Sequence, residues 1–307
     1  MGKRLTVSDY LFAFLFVFMI FCIIVAFFYG VNVGKSKAEE QYRQLMQGQL
    51  DELPNEELTS YHQQHLVSFY YNVYYPFRTF QSSWTNTVAE LSKSPSADVH
   101  AAIRKLSKTA KEVYQSVEIM TIPDQSPLLQ QAQTNYLRSL RLFQEADARV
   151  QSYDGTNKEL IGKLLQDPYI VEAIDHATTA QAQYYQAIVY WHDSVVVELE
   201  GMQDMSSTDL DLTEWAELPF NVQNSIVAQA MSDNGIFVNY TPQDLTAVIM
   251  AMIDSGRSKV LGLRTIEDAV TILHHTNAVR SGDYFFYRDA YFKDEIVPQL
   301  PFYQVES

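Results

Sequence analysis

HLVSFYYNVYYPFRTFQSSWTNTVAEL, residues 65–91, decides the fold class. Its large apolar side chains fall at Leu66, Phe69, Val73, Phe77, Phe80, Trp84, Val88 and Leu91, in steps of three and four only. That spacing keeps them on one face of an α-helix, whereas a strand would need alternation. Pro76 lies beside the stripe, where its ring and missing N–H should kink the helix. The first helix is therefore expected to run from about Glu56 to Lys93.

Toward the C-terminus the same period returns. Val99, Ile103, Leu106, Ala110, Val113, Val117 and Met120 mark a second helix, which Pro123 ends. Leu129, Ala132, Tyr136, Leu140, Phe143 and Val150 mark a third, closed by Asp154-Gly155. A short lead-in over about 158–166 precedes Asp167-Pro168, an N-cap and first-turn pair. The fourth stripe is Ile174, Ala177, Gln181, Tyr184, Ile188, Trp191, Val195 and Leu199. The expectation is an all-α chain in which residues 54–201 form an elongated antiparallel four-helix bundle. Residues 202–217 break the pattern with Asp209, Asp211, Glu214 and Glu217 among Ser and Thr, and are read as an acidic linker. Residues 218–307 carry closer punctuation: Asn234-Gly235, Thr241-Pro242, Gly256, Thr265 and Ser281-Gly282. They are read as a small helical domain of shorter helices. Within it, Ile236 to Tyr240 and Val260 to Leu263 are short enough for loops or minimal strands.

Toward the N-terminus, residues 30–53 read as a helical stalk that Pro54 ends. Residues 10–29 read as a transmembrane helix. From Leu11 to Phe28 there is no charge, and 14 of the 18 positions are Leu, Ile, Phe or Val. Insertion is favoured by about 4 to 8 kcal/mol on that count. Twenty helical residues span roughly 30 Å, the thickness of the hydrocarbon core. No A-x-A cleavage site follows, so the segment is read as an uncleaved signal anchor. Residues 1–9 then form a short cytoplasmic tail. Basic residues are nearly balanced across the helix. The short tail and acidic body favour an inside N-terminus and an outside body, a single-pass protein of the cell membrane.

Net charge is −15, and residues 202–307 hold 15 acids against six bases. Such a surface repels nucleic acid, so no nucleic-acid partner is expected. The one cysteine, Cys22, lies in the anchor, which removes disulfides, thiolate metal sites and a thiol nucleophile from the body.

Several small motifs suggest chemistry, and each has a duller explanation. His62-x-x-His65 puts two imidazoles near one helical face, but no third ligand follows at a matching offset. His192-Asp193 and Asp175-His176 are adjacent pairs. Neighbours on a helix point about 100° apart, so neither pair is a preformed dyad. His274-His275 splits the same way. Asp209-x-Asp211-x-x-Glu214 resembles a calcium loop, but Glu214 stands where a glycine is needed. No phosphate-binding glycine loop or nucleophile elbow is present. No cofactor, metal or catalytic residue is assigned on this basis.

The densest anomaly is aromatic: Tyr284, Phe285, Phe286, Tyr287, Tyr291, Phe292, Phe302 and Tyr303 fall within 20 residues. On one continuous helix, Tyr284, Tyr287 and Tyr291 share a strip that is read as exposed. Phe285 and Phe292, seven apart, share a neighbouring strip read as core. Tyr284, Tyr287, Tyr291, Phe302 and Tyr303 are the candidate partner-binding residues. The chain is thus expected to be a membrane-anchored, non-catalytic scaffold or interaction protein of the cell envelope, with a protein partner or a homo-oligomer. An extracytoplasmic sensor or ligand-binding body that signals through a partner is the alternative. A membrane-anchored hydrolase is a third reading, which would need a deep polar pocket where His192 or His274 meets carboxylates.

Overall fold

A computed structural model describes residues 61–94, 96–196 and 210–304. The expected tail, transmembrane helix and stalk lie outside the described residues, as does the acidic stretch 202–209. Among the described residues no helix is long and apolar enough to cross a membrane.

The described chain is all-α. Residues 65–91 form α1 (Gln63–Phe69), a π-helical turn (Tyr70–Tyr74) and α2 (Tyr75–Lys93). All eight residues of the quoted stripe are buried. The π turn explains how Pro76 is carried. Proline cannot donate to the carbonyl four residues back, and its ring would strike that carbonyl. The backbone widens so that Tyr75 N–H bonds the Tyr70 carbonyl, five residues back.

Helix α3 (Val99–Glu118) starts at an Asp98 cap. Then follow α4 (Pro127–Gln144), α5 (Ala146–Gln151) and α6 (Asn157–Leu165), the last opened by a Thr156–Glu159 capping box. Helix α7 (Pro168–Val195) is capped by Asp167. Its burial is wider than the expected single stripe: Tyr185, Ala182 and Val189 are covered as well as Tyr184 and Ile188. The reason is that α7 lies between two neighbours, α4 and α9 (Phe220–Asp233). Ala173, Ala177, Ala180 and Ala187 keep its surface low enough for close packing. At its far end Val195, placed on the stripe by sequence, is exposed.

The C-terminal part comprises α8 (Leu212–Ala216), α9, α10 (Pro242–Asp254), α11 (Arg257–Leu261), α12 (Ile266–His275) and α13 (Asp283–Tyr291). A 3₁₀ turn, Pro301–Tyr303, closes it. The segment Val260 to Leu263 enters helix α11, where a loop or strand was expected. Ile236 to Tyr240 is a loop. Gly235 (φ 59°) supplies the left-handed residue that ends α9, and Ile236 N–H then bonds the Met231 carbonyl at 2.8 Å.

Residues 59–307 make one compact unit. Its main apolar core takes in α1 to α7 together with Phe220, Tyr284, Phe292, Leu300 and Tyr303. A second core joins Val189 of α7 to Trp215, Ile226, Leu245, Ile249 and Val270. Buried packing therefore continues across the acidic break. A polar clamp adds to it: Arg78 of α2 donates to the Val238 carbonyl (3.1 Å) and to that of Asn239, and Gln81 donates to Val238 at 3.0 Å. Each carbonyl of that loop would otherwise lose its water without replacement.

Candidate functional site

The aromatic segment expected to meet a partner is built on a buried carboxylate. Asp244, in the first turn of α10, is 3% exposed. Its Oδ2 accepts from Thr241 N (2.9 Å) and Thr241 Oγ1 (2.7 Å), the capping box of α10. Its Oδ1 accepts from Gly282 N and Tyr284 N, both at 3.1 Å, at the start of α13. One carboxylate thus holds the N-termini of two helices together. Gly282 enters with φ 95°, a conformation that favours glycine. Burial raises the Asp244 pKa above the ordinary aspartate value, against its four hydrogen bonds. Asp268 makes the same capping box with Thr265 at the start of α12, where the carboxylate is exposed. There the backbone hydrogen bonds of Arg264 and Thr265 dominate and lower the pKa. Identical local chemistry gives opposite shifts because only one site is dry.

Helix α13 divides its aromatics in a way that the strip reading did not foresee. Tyr284 is buried, stacked on Phe220 at 5.3 Å between ring centroids. Phe292 is buried 4.2 Å from Phe220. Tyr287 and Tyr291 are half-buried, and Tyr291 O–H bonds Asp254 at 3.0 Å. Phe285 is 42% exposed and Phe286 79%. The expected exposure of Tyr284 is therefore corrected, as is the expected burial of Phe285. The physical reason is helix length. The two strips assumed a helix continuing through Phe292, but α13 stops at Tyr291 and Phe292 leaves it at φ −130°. Phe292 then turns to the core, and Phe285 loses its partner seven residues on.

Tyr303 is also corrected: it is buried against Phe220 (5.8 Å) and Tyr284 (5.9 Å), and Asn224 donates to its hydroxyl at 3.4 Å. Phe302 is half-buried among Tyr70, Tyr74, Tyr184 and Tyr185, with ring centroids 5.5 to 6.4 Å away. Of the five candidates, the fold brings Tyr284 and Tyr303 into its interior and leaves Tyr287, Tyr291 and Phe302 half-buried at its edge. The exposed apolar edge is Phe285 with Phe286, which the strip reading passed over. Adjacent residues on a helix lie about 100° apart, so both can fall on the solvent face, and which face that is depends on the neighbours in space. Val260 (87%) and Leu261 (57%) on α11 are further exposed apolar side chains.

Five histidines have a polar partner of their own, whereas His100 Nδ1 and His192 Nδ1 are buried without one. His62 caps α1 through Nδ1, accepting from Gln64 N, and His65 Nδ1 lies 2.9 Å from Ser126 Oγ. His176 Nδ1 is 3.1 Å from Asn135 Oδ1, and His275 Nδ1 is 2.8 Å from the Thr271 carbonyl. His274 meets Tyr240 O–H at 3.2 Å. Burial lowers the pKa of His65, His192 and His274. Among the described residues no group of three His, Cys, Asp or Glu is placed to hold a metal. Melting of the protein is expected to be unchanged by a strong chelator, and a fall of several degrees would make His62 and His65 ligands after all. In the acidic break, Asp211 caps α8 by accepting from Thr213 N at 2.7 Å. A cleft of about 440 Å³ lies along α12, lined by Leu263, Glu267, Asp268, Thr271, Ile272 and His275. It contains neither His192 nor His274.

Comparison with protein-family models, with curated proteins and with solved structures finds no match.

Proposed function

We propose that this chain is a non-catalytic, helical scaffold or interaction protein of the cell envelope. Residues 10–29 hold it in the membrane, with the N-terminus inside and the body outside. In this reading residues 54–201, the elongated four-helix part, act as a rigid spacer. Residues 218–307 carry the contact surface for a protein partner.

The observation that carries the reading is the Phe285–Phe286 edge of α13. Phe286, at 79% exposed, costs solubility and adds little to the core, so an occupant is a physical reason to keep it beside Phe285. Aromatic anchors on a rigid element bind with little loss of conformational freedom. Here rigidity comes from Asp244 below the helix start and from Tyr284 and Phe292 beneath its body. Tyr287 and Tyr291 flank the pair and supply a partly wet rim.

Cross-linking in intact cells, with a photoreactive residue at Arg288, tests this. The wild type should yield a discrete adduct with a protein of the same membrane or with a second copy of the chain. Phe286→Ala should leave the melting temperature within the range of an ordinary surface change, about 0.5 kcal/mol in stability, and abolish the adduct. An adduct of undiminished yield in Phe286→Ala would sink the reading.

A further inference from the structure

A second surface, away from the aromatic edge, has the makings of a ligand site. A cleft of about 520 Å³ lies where the end of α4, α5 and the first turn of α7 meet, lined by Arg141, Leu142, Glu145, Ala148, Arg149, Ser152 and Tyr169. That volume suits a small organic molecule better than a bare ion. Two guanidinium groups, Arg141 and Arg149, line it beside a single carboxylate, Glu145.

Arg149 is held in place from behind. Its Nε donates to Asp167 Oδ2 at 2.8 Å, and its guanidinium carbon lies 4.8 Å above the Tyr169 ring. Asp167 is itself fixed: 2% exposed, accepting from Tyr153 O–H, and from Tyr169 N at 2.9 Å. The donor Nε is thus used inward, and Arg149 still lines the cleft. Orientation by a buried carboxylate is how proteins prepare an arginine for an oxyanion. The first turn of α7 is already satisfied by Asp167, so the helix terminus offers no donor of its own. Arg141 differs from Arg149: it is exposed, and among the described residues it takes part in no ion pair or hydrogen bond. It is the cation of the cleft that no ion pair holds, and Glu145, four residues on, is the acid nearest to it in the chain. Glu145 stands on the same wall and opposes any anion. Leu142, Ala148 and the Tyr169 ring supply an apolar floor.

We propose that this cleft binds a small organic oxyanion, a phosphate or carboxylate group on a flat apolar body, with Arg141 and Arg149 on the charged end and Tyr169 beside the apolar end. This goes beyond the scaffold reading and does not depend on it.

Calorimetric titration of the full chain in neutral detergent with phenyl phosphate tests the assignment, with sodium chloride matched for ionic strength. Phenyl phosphate should bind, and more tightly than inorganic phosphate. Arg141→Ala should weaken binding roughly tenfold or more, the usual effect of losing one charge-assisted contact. Its melting temperature without ligand should not change, since Arg141 holds nothing. Glu145→Gln should tighten binding severalfold, a sign that a purely structural role would not produce. Arg138→Ala, a neighbouring exposed cation outside the cleft, should have no effect. Absence of phenyl phosphate binding overturns the proposal. So does binding equal in wild type and Arg141→Ala, or weakened by Glu145→Gln. A lipid headgroup shares this chemistry. Competition of phosphatidic acid vesicles with phenyl phosphate identifies that source, and its absence identifies a soluble one.

Discussion

Deletion of residues 300–307 is expected to unfold the body. The short tail after α13 sends Leu300 (0% exposed) and Tyr303 (3%) into the main core and lays Phe302 against four tyrosines of the π turn and α7. Removing a buried leucine costs about 2 to 5 kcal/mol and a buried aromatic about 3 to 5. The combined loss matches the whole stability of an ordinary domain, about 5 to 15 kcal/mol. The deleted chain should lose its cooperative thermal transition by circular dichroism and become sensitive to protease throughout residues 61–196. A transition within a few degrees of the full chain would show that the tail is only an ornament on an independent bundle. The same packing bears on residues 54–201 expressed alone: without Phe302, Tyr303 and α9 they would expose Tyr184 and Tyr185 to water.

The second large effect is at Asp244. Asp244→Ala leaves the N–H groups of Thr241, Gly282 and Tyr284 without their acceptor, and the last of these is buried. Buried unpaired donors cost about 1 to 3 kcal/mol each, so a loss of about 3 to 5 kcal/mol is expected from denaturant unfolding. Asp244→Asn keeps one acceptor oxygen and should lose less. The two also separate by pH. Burial raises the folded pKa above the unfolded value of 3.8. A raised pKa means that the folded state binds the proton more tightly. This contribution to stability is fully present below pH 3.8 and is lost as pH rises through the folded pKa. The wild type should therefore gain on Asp244→Asn as the solution is acidified across that window. A gap that narrows on acidification would show that the four hydrogen bonds outweigh burial. Asp268, with its lowered pKa, has the opposite sign: its contribution is present above 3.8 and lost as pH falls through the folded pKa.

Much of this architecture is local physics and was legible in the residues. The stripe from Leu66 to Leu91, the caps at Asp167 and Thr265, and the stops at Gly235 and Gly256 need only neighbours within a turn or two. All-α class followed from them directly. The membrane anchor read from the apolar run at residues 11–28 is an expectation from composition and lies outside the described residues. What the residues could not reveal was which faces meet. The stripe of α7 marks one buried face, yet its second face is covered because α9 returns to it from beyond the acidic break. Tyr284 and Phe286, two positions apart on one short helix, have the same kind of side chain and opposite fates. Phe220 stacks on the first, and no neighbour covers the second. Asp244 and Asp268 sit in matching capping boxes, and only the arrival of α13 over one of them decides that its carboxylate is dry. Arg149 and Tyr169 lie 20 residues apart and become the wall of a cleft only when α5 folds onto the first turn of α7. Helices and their ends arise from interactions between near neighbours in the chain. Burial, pKa and exposure are sums over neighbours in space, and those are set by the tertiary fold.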